Sequence, residues 1–292
     1  MTTSIIALDR GRSLQVTVEG DPSGLPILIH HGTPGSCVLL PDWISDAERR
    51  GLRLISFSRA GYGLSTRAPG RDVAQVVQDV LPILDELGVD RCATWGLSGG
   101  GPHALACAAL LPDRVVAVSC ISGVAPFSAV GLDWMAGMGG ANVEEFSLAV
   151  SGDHDALLSA GEGMAAALRT SAPEQLIEEM ASLLSAEDLA IMRSDFGRFV
   201  HESMVEGLRE NAFGLYDDDL AVISPWGFDP ADIRLPAQVW QGGQDLMVPW
   251  DHGRWLAQRI PGAEAHLVAS MGHLTVAARG IPEVHDWLAS HF

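Results

Sequence analysis

The chain contains no lysine: all 18 basic residues are arginine, set against 37 Asp and Glu, for a formal net charge of −19. A Walker-type phosphate loop needs a lysine to reach the phosphates, so that class of nucleotide site is excluded. Nucleic acid is not expected as a partner, because affinity for phosphate backbones comes from Lys and Arg. Cysteine is scarce. Cys37, Cys92, Cys107 and Cys120 are scattered, without a CxxC pair or a paired-histidine spacing. They read as buried, reduced thiols of a cytoplasmic protein rather than disulfides or metal ligands. Long apolar runs are missing too: the longest apolar region, Ala104 to Phe127, is broken by Pro112, Asp113 and Arg114. The N-terminal stretch has no basic start followed by an apolar run, so neither a membrane span nor a signal peptide is expected.

What the chain does have is enough apolar residue, 47% of 292, to build a large core. Short apolar runs alternate with helical periodicity. Residues 13–19, 26–31, 53–57, 92–96 and 115–121 read as strands. Helices are expected near 43–50, 73–87 and 103–111. Continuous apolar strands separated by helices predict an α/β fold, with a mostly parallel central sheet covered on both faces. After Pro126 the alternation stops, and only helical patterns follow, among them 174–184 and 199–208. Strand and helix resume at 237–241, 252–259 and 265–269, with a last helix from about Thr275. The expected organisation is one core formed by 1–125 and 233–292, interrupted by a helical cap over 126–232.

That insertion is also where the acidity concentrates, with 20 Asp and Glu against four Arg between Val130 and Asp232. Two readings stand: a solvated face that aids solubility, or a field that favours neutral or cationic ligands.

Between a strand and a helix lies Gly96-Leu97-Ser98-Gly99-Gly100, a G-x-S-x-G sequence. Such a turn lifts a serine hydroxyl above the sheet, beside the amide that follows it and the helix N-terminus. A dinucleotide fingerprint does not fit, since the spacing from Gly96 is G-x-x-G-G-G and it falls mid-sheet. A serine needs a base, and the base needs an orienting carboxylate. Asp245 follows the strand at 237–241, and His273 follows the next strand, in the order Ser, acid, His. Each alone has a plainer explanation, a turn or cap aspartate and a surface-loop histidine. Together they nominate Ser98, Asp245 and His273 as a catalytic triad. The oxyanion hole is assigned to the backbone N–H groups of Gly99 and Thr33, the latter in His31-Gly32-Thr33-Pro34-Gly35 after the second strand. His30 and His31 read as strand-end packing or hydrogen bonding. No cofactor or metal site is expected.

These segments, with Arg59-Ala60-Gly61-Tyr62-Gly63-Leu64-Ser65 and Gly242–Pro249, resemble the α/β-hydrolase superfamily across the whole chain except the insertion. One departure is Ser58, where many members carry Asp. A serine nucleophile speaks against the epoxide hydrolases and haloalkane dehalogenases of that fold, which use Asp. The resemblance implies acyl transfer to water through an acyl-enzyme, with a small-molecule substrate. A carboxylesterase-type activity on a small, largely apolar substrate is expected. The alternative is an iminopeptidase-like amide hydrolase, because His31–Gly35 is similar to the H-G-G-P-G segment of prolyl iminopeptidases and a carboxylate of the insertion could bind a free amino terminus. Their tryptophan-containing elbow is absent here. A non-catalytic ligand receptor on the same fold is the third reading.

Overall fold

The computed structural model describes residues 2–292, so the first residue of the expected 1–125 segment lies outside it. Among the described residues, eight strands form one sheet in the order β1-β2-β4-β3-β5-β6-β7-β8. They are β1 (Thr2–Ala7), β2 (Ser13–Gly20), β3 (Leu25–His30), β4 (Leu52–Phe57), β5 (Cys92–Leu97), β6 (Val115–Ile121), β7 (Ala237–Gly242) and β8 (Glu264–Val268). From β4 to β8 neighbouring strands run parallel, while β1 and β2 add an antiparallel edge.

The continuous apolar strands are explained by cover on both sides. On one face α2 (Val76–Glu86), α3 (Gly100–Leu110) and α10 (Trp250–Arg259) bury residues such as Val80, Leu105 and Leu256 against the sheet. On the other, α1 (Pro41–Arg50) and α11 (His273–Ala289) bury Trp43, Ala47, Val276 and Leu288. All seven residues of β6 are buried, as a central strand between two helical layers requires. The chain leaves the sheet after β6 and returns at β7. Between them run α4 (Gly140–Ser151), α5 (His154–Leu168), α6 (Pro173–Glu179), α7 (Ala186–Met192), α8 (Asp195–Gly207) and α9 (Phe213–Ile223). No helix among the described residues is long and apolar enough to cross a membrane.

Three elements differ from the sequence reading. Strand β1 was not expected; its adjacent Ile5 and Ile6 carry no alternation, and it exists through pairing with β2 along its whole length. The helix expected over 174–184 ends at Glu179 and continues as a 3-10 turn, Ala181–Leu183. That turn packs on Gly139, where an added Cβ would meet Ser182 O at 2.0 Å, a tertiary contact invisible to periodicity. The last helix begins at His273 rather than Thr275, so His273 is a buried first-turn residue and not a surface-loop one. The four cysteines are free and buried.

Candidate active site

Ser98 directly follows β5 in a left-handed backbone conformation, φ +54°, rare for a residue with a side chain and a form of stored strain. Glycine makes this turn possible by removing bulk. A Cβ on Gly96 would lie 2.1 Å from Gly100 O, so strand and helix could not fold back on each other. On Gly99, a Cβ would lie 2.2 Å from Thr33 Oγ1 and 3.4 Å from Thr33 N. Thr33 and Gly99 are therefore brought together beside Ser98 by close approach of two loops.

Asp245 comes from the loop after β7 and His273 from the first turn of α11, which follows the loop after β8; the two loops are tied to each other by Gln244 N donating to Met271 O at 2.9 Å. His273 Nδ1 lies 2.8 Å from Asp245 Oδ2, and both side chains are buried. Asp245 is itself fixed: its Oδ1 accepts from the amides of Met247 and Val248 at 2.8 Å, and its Oδ2 also accepts from Gln241 Nε2 at 2.9 Å. Burial alone would lower the proton affinity of His273. The charge and hydrogen bond of Asp245, with a further charge from Asp188, outweigh it, and the pKa is raised.

A second histidine of the same helix shows why pairing alone does not define a site. His285 Nδ1 lies 2.9 Å from Asp46 Oδ2, an equally close pair. There, however, burial prevails and the pKa is lowered, and the pair joins α11 to α1 within the core.

Ser98, His273 and Thr33 line one cavity of about 450 Å³. Its floor comes from the core, including Trp43 and Trp95, and its roof from the insertion, including Met164, Leu176, Phe199 and Met204. A cleft of about 570 Å³ near Trp226 and Trp255 is larger but touches none of these residues.

The acidic insertion is only partly a solvated face. Three consecutive aspartates of α9 are buried and take separate partners. Asp217 holds Arg67 through two bonds, at 2.8 and 2.9 Å. Asp218 accepts from Arg59 at 2.6 Å, from Tyr62 OH at 2.8 Å and from Thr33 Oγ1 at 2.7 Å, and pairs with Arg71 at 2.7 Å. Burial would raise its pKa, but the two guanidinium groups hold it well below the carboxylate range. Asp219 shares a hydrogen bond with Glu145 of α4; burial and the neighbouring carboxylate push its pKa well up. Both acids line a small cavity of about 50 Å³ that also touches Ser98 and Gly99.

Arg59 carries this network back to the strand end, donating to the carbonyls of His31 and Gly32. Its backbone N–H donates to His31 Nε2 at 3.0 Å, so the neutral His31 ring keeps its proton on Nδ1, which donates to Gly32 O at 2.7 Å. Both Asp218 and Asp188 escaped the sequence reading. Ser185-Ala186-Glu187-Asp188 has the form of a local helix start, and nothing in it points to a partner 85 residues away.

Known proteins agree with this architecture. Over 275 residues the chain is 28% identical to the dihydrolipoyllysine-residue acetyltransferase component of the acetoin cleaving system of Pseudomonas putida. That match covers 90% of this chain, which spans 62% of the length of the relative. It is 26% identical over 267 residues to the esterase YbfF of Escherichia coli, covering 88% of this chain and 89% of the other. The crystal structure of the enol-lactonase from Burkholderia xenovorans LB400 superposes with a TM-score of 0.68 at 20% identity, over 98% and 99% of the two chains. The family described as alpha/beta hydrolase fold matches residues 26–277, which take in the elbow at Ser98, the loop at Thr33 and the two loops that bring Asp245 to His273. By sequence and by fold, the chain belongs to the α/β-hydrolase fold family.

Proposed function

We propose that the protein is a serine hydrolase that cleaves a carboxylic ester, or a related acyl bond, of a small and largely apolar substrate. The observation that carries this reading is the opening of the strained Ser98 elbow into the same cavity as His273, whose Nδ1 is paired with Asp245 behind it. In this reading His273 takes the proton from Ser98 as the hydroxyl oxygen attacks the carbonyl carbon. Asp245 holds the Nδ1–H tautomer, leaving Nε2 as the basic nitrogen, and stabilises the imidazolium that forms. The amides of Thr33 and Gly99 bind the oxyanion, each worth about 3 kcal/mol of barrier. His273 then protonates the leaving alcohol, and water repeats the cycle on the acyl-enzyme. The insertion over 126–232 serves as a cap, whose Met, Leu and Phe side chains set the size and polarity of the acyl or alcohol pocket.

One observation favours a second reading. The Glu145–Asp219 pair beside Ser98 would accept an ammonium group, as an aminoacyl amide substrate carries. A panel of nitrophenyl esters beside aminoacyl-naphthylamides separates the two, and turnover of the amides alone would sink the esterase reading. Labelling of Ser98 by a fluorophosphonate, with Ser98→Ala as control, distinguishes both from a non-catalytic receptor.

A further inference from the structure

Helix α11 starts with His273, and its N-cap position is Gly272, which has no side chain to satisfy the first-turn amides. The carboxylate of Asp188, from α7 of the insertion, does so instead. Its Oδ2 accepts from His273 N at 2.9 Å. Its Oδ1 accepts from Leu274 N at 2.9 Å, from Thr275 N at 2.8 Å and from Thr275 Oγ1 at 2.9 Å. Ser185 Oγ completes the set, donating to Oδ2 at 3.0 Å. Asp188 is fully buried, so these donors stand in for all the water it lost on folding. A negative group at a helix N-terminus also meets the positive end of the helix dipole.

Gly272 is what admits the carboxylate. A Cβ there would lie 2.1 Å from Asp188 Oδ2 and 2.3 Å from Ser185 Oγ. The cap that α11 lacks locally is thus supplied from another part of the chain, on the residue whose imidazole faces the cavity. We propose that Asp188 is a positioning residue for His273: by pinning the first turn of α11, the seat of the insertion sets where the imidazole stands. This rests on reading His273 as the general base. Asp188 acts on the imidazole by charge as well. Two carboxylates face it, Asp245 through Nδ1 and Asp188 beneath the backbone N–H, and both raise its proton affinity against burial.

The test compares full-length wild type with Asp188→Asn, Gly272→Ala and His273→Ala. Thermal unfolding, kcat and KM on p-nitrophenyl butyrate, kcat/KM against pH, and the rate of fluorophosphonate labelling are read for each. Asp188→Asn, close in shape, is expected to lower kcat about 10- to 100-fold by misplacing the base, with KM moving less than about threefold. Its acid limb of kcat/KM moves to lower pH, because one of the two charges that favour the imidazolium is gone. A purely structural brace would leave that limb in place. Gly272→Ala reaches the same contact from the helix side and is expected to lower kcat likewise, which keeps the test open should Asp188→Asn not fold. The inference is overturned if, with His273→Ala inactive, the folded variants keep wild-type kcat, or if folded Asp188→Asn loses activity with its pH limb unmoved. Wild-type activity in His273→Ala overturns the general-base reading itself, a separate failure.

Discussion

Thr33 Oγ1 and Asp218 Oδ2 lie 2.7 Å apart, although one belongs to the loop after β3 and the other to α9 of the insertion. The same carboxylate holds Arg59 and Arg71, so the loop bearing the proposed oxyanion donor is tied to a buried charge cluster. Asp218→Ala leaves two largely buried guanidinium groups without their counter-charge. We expect a loss of about 3–5 kcal/mol in urea unfolding. A change below 1 kcal/mol would show that water or rearrangement replaces the carboxylate.

Asp245→Asn tests the tautomer argument. An amide NH2 turned towards Nδ1 favours the wrong tautomer, and kcat is expected to fall roughly 10⁴-fold. The pH profile carries a second sign. Because the pKa of His273 is raised, the neutral base accumulates only above the ordinary histidine value of about 6.5, and the wild-type acid limb should lie above it. With the charge removed, the residual activity should retain its acid limb to lower pH. Stopped-flow hydrolysis of a nitrophenyl ester from pH 5 to 9 reads both.

Gly99→Ala would place a methyl group 2.2 Å from Thr33 Oγ1. Relief requires the two loops to part, which spreads the donors assigned to the oxyanion. Labelling of Ser98 by a fluorophosphonate should slow by at least about 100-fold, the worth of one such donor. The accompanying stability loss should stay near about 1–3 kcal/mol, as for other overpacked sites. Unchanged labelling would remove Gly99 from the oxyanion hole.

Asp219 gives a pH dependence of stability. Its folded-state pKa is raised well above the ordinary value, so the folded protein keeps a proton that the unfolded chain releases above about pH 4. Stability from this group therefore falls as pH rises through the unfolded value towards the folded one. Asp219→Asn mimics the protonated form and should gain on wild type in melting temperature between pH 5 and 8. A parallel pair of curves would mean that the proton is not held there.

The sequence carried the core and the order of Ser98, Asp245 and His273, because each sits at a strand end marked by apolar runs and glycine. Local patterns of this kind survive folding. What the sequence did not reveal lies in contacts between distant segments. The place of Asp245 after a strand pointed to His273, but nothing in the sequence around Asp46 pointed to His285, an equally close buried pair between two helices. Nothing in the run Asp217-Asp218-Asp219 signals burial, yet folding turns it to three different partners. A local helix-start pattern hid Asp188, whose carboxylate faces another helix. Burial of a charge is decided by its partners, and here they are separated from it by tens to more than a hundred residues.

The grip of Asp188 on α11 and of Asp218 on the Thr33 loop bears on how such proteins can be recombined. Exchanging 126–232 for the equivalent segment of another family member would remove both carboxylates at once, while Gly272, Arg59 and Arg71 stayed behind, cut to fit them. The insertion is therefore not a detachable module. An exchange has to carry the residues beneath it along with it.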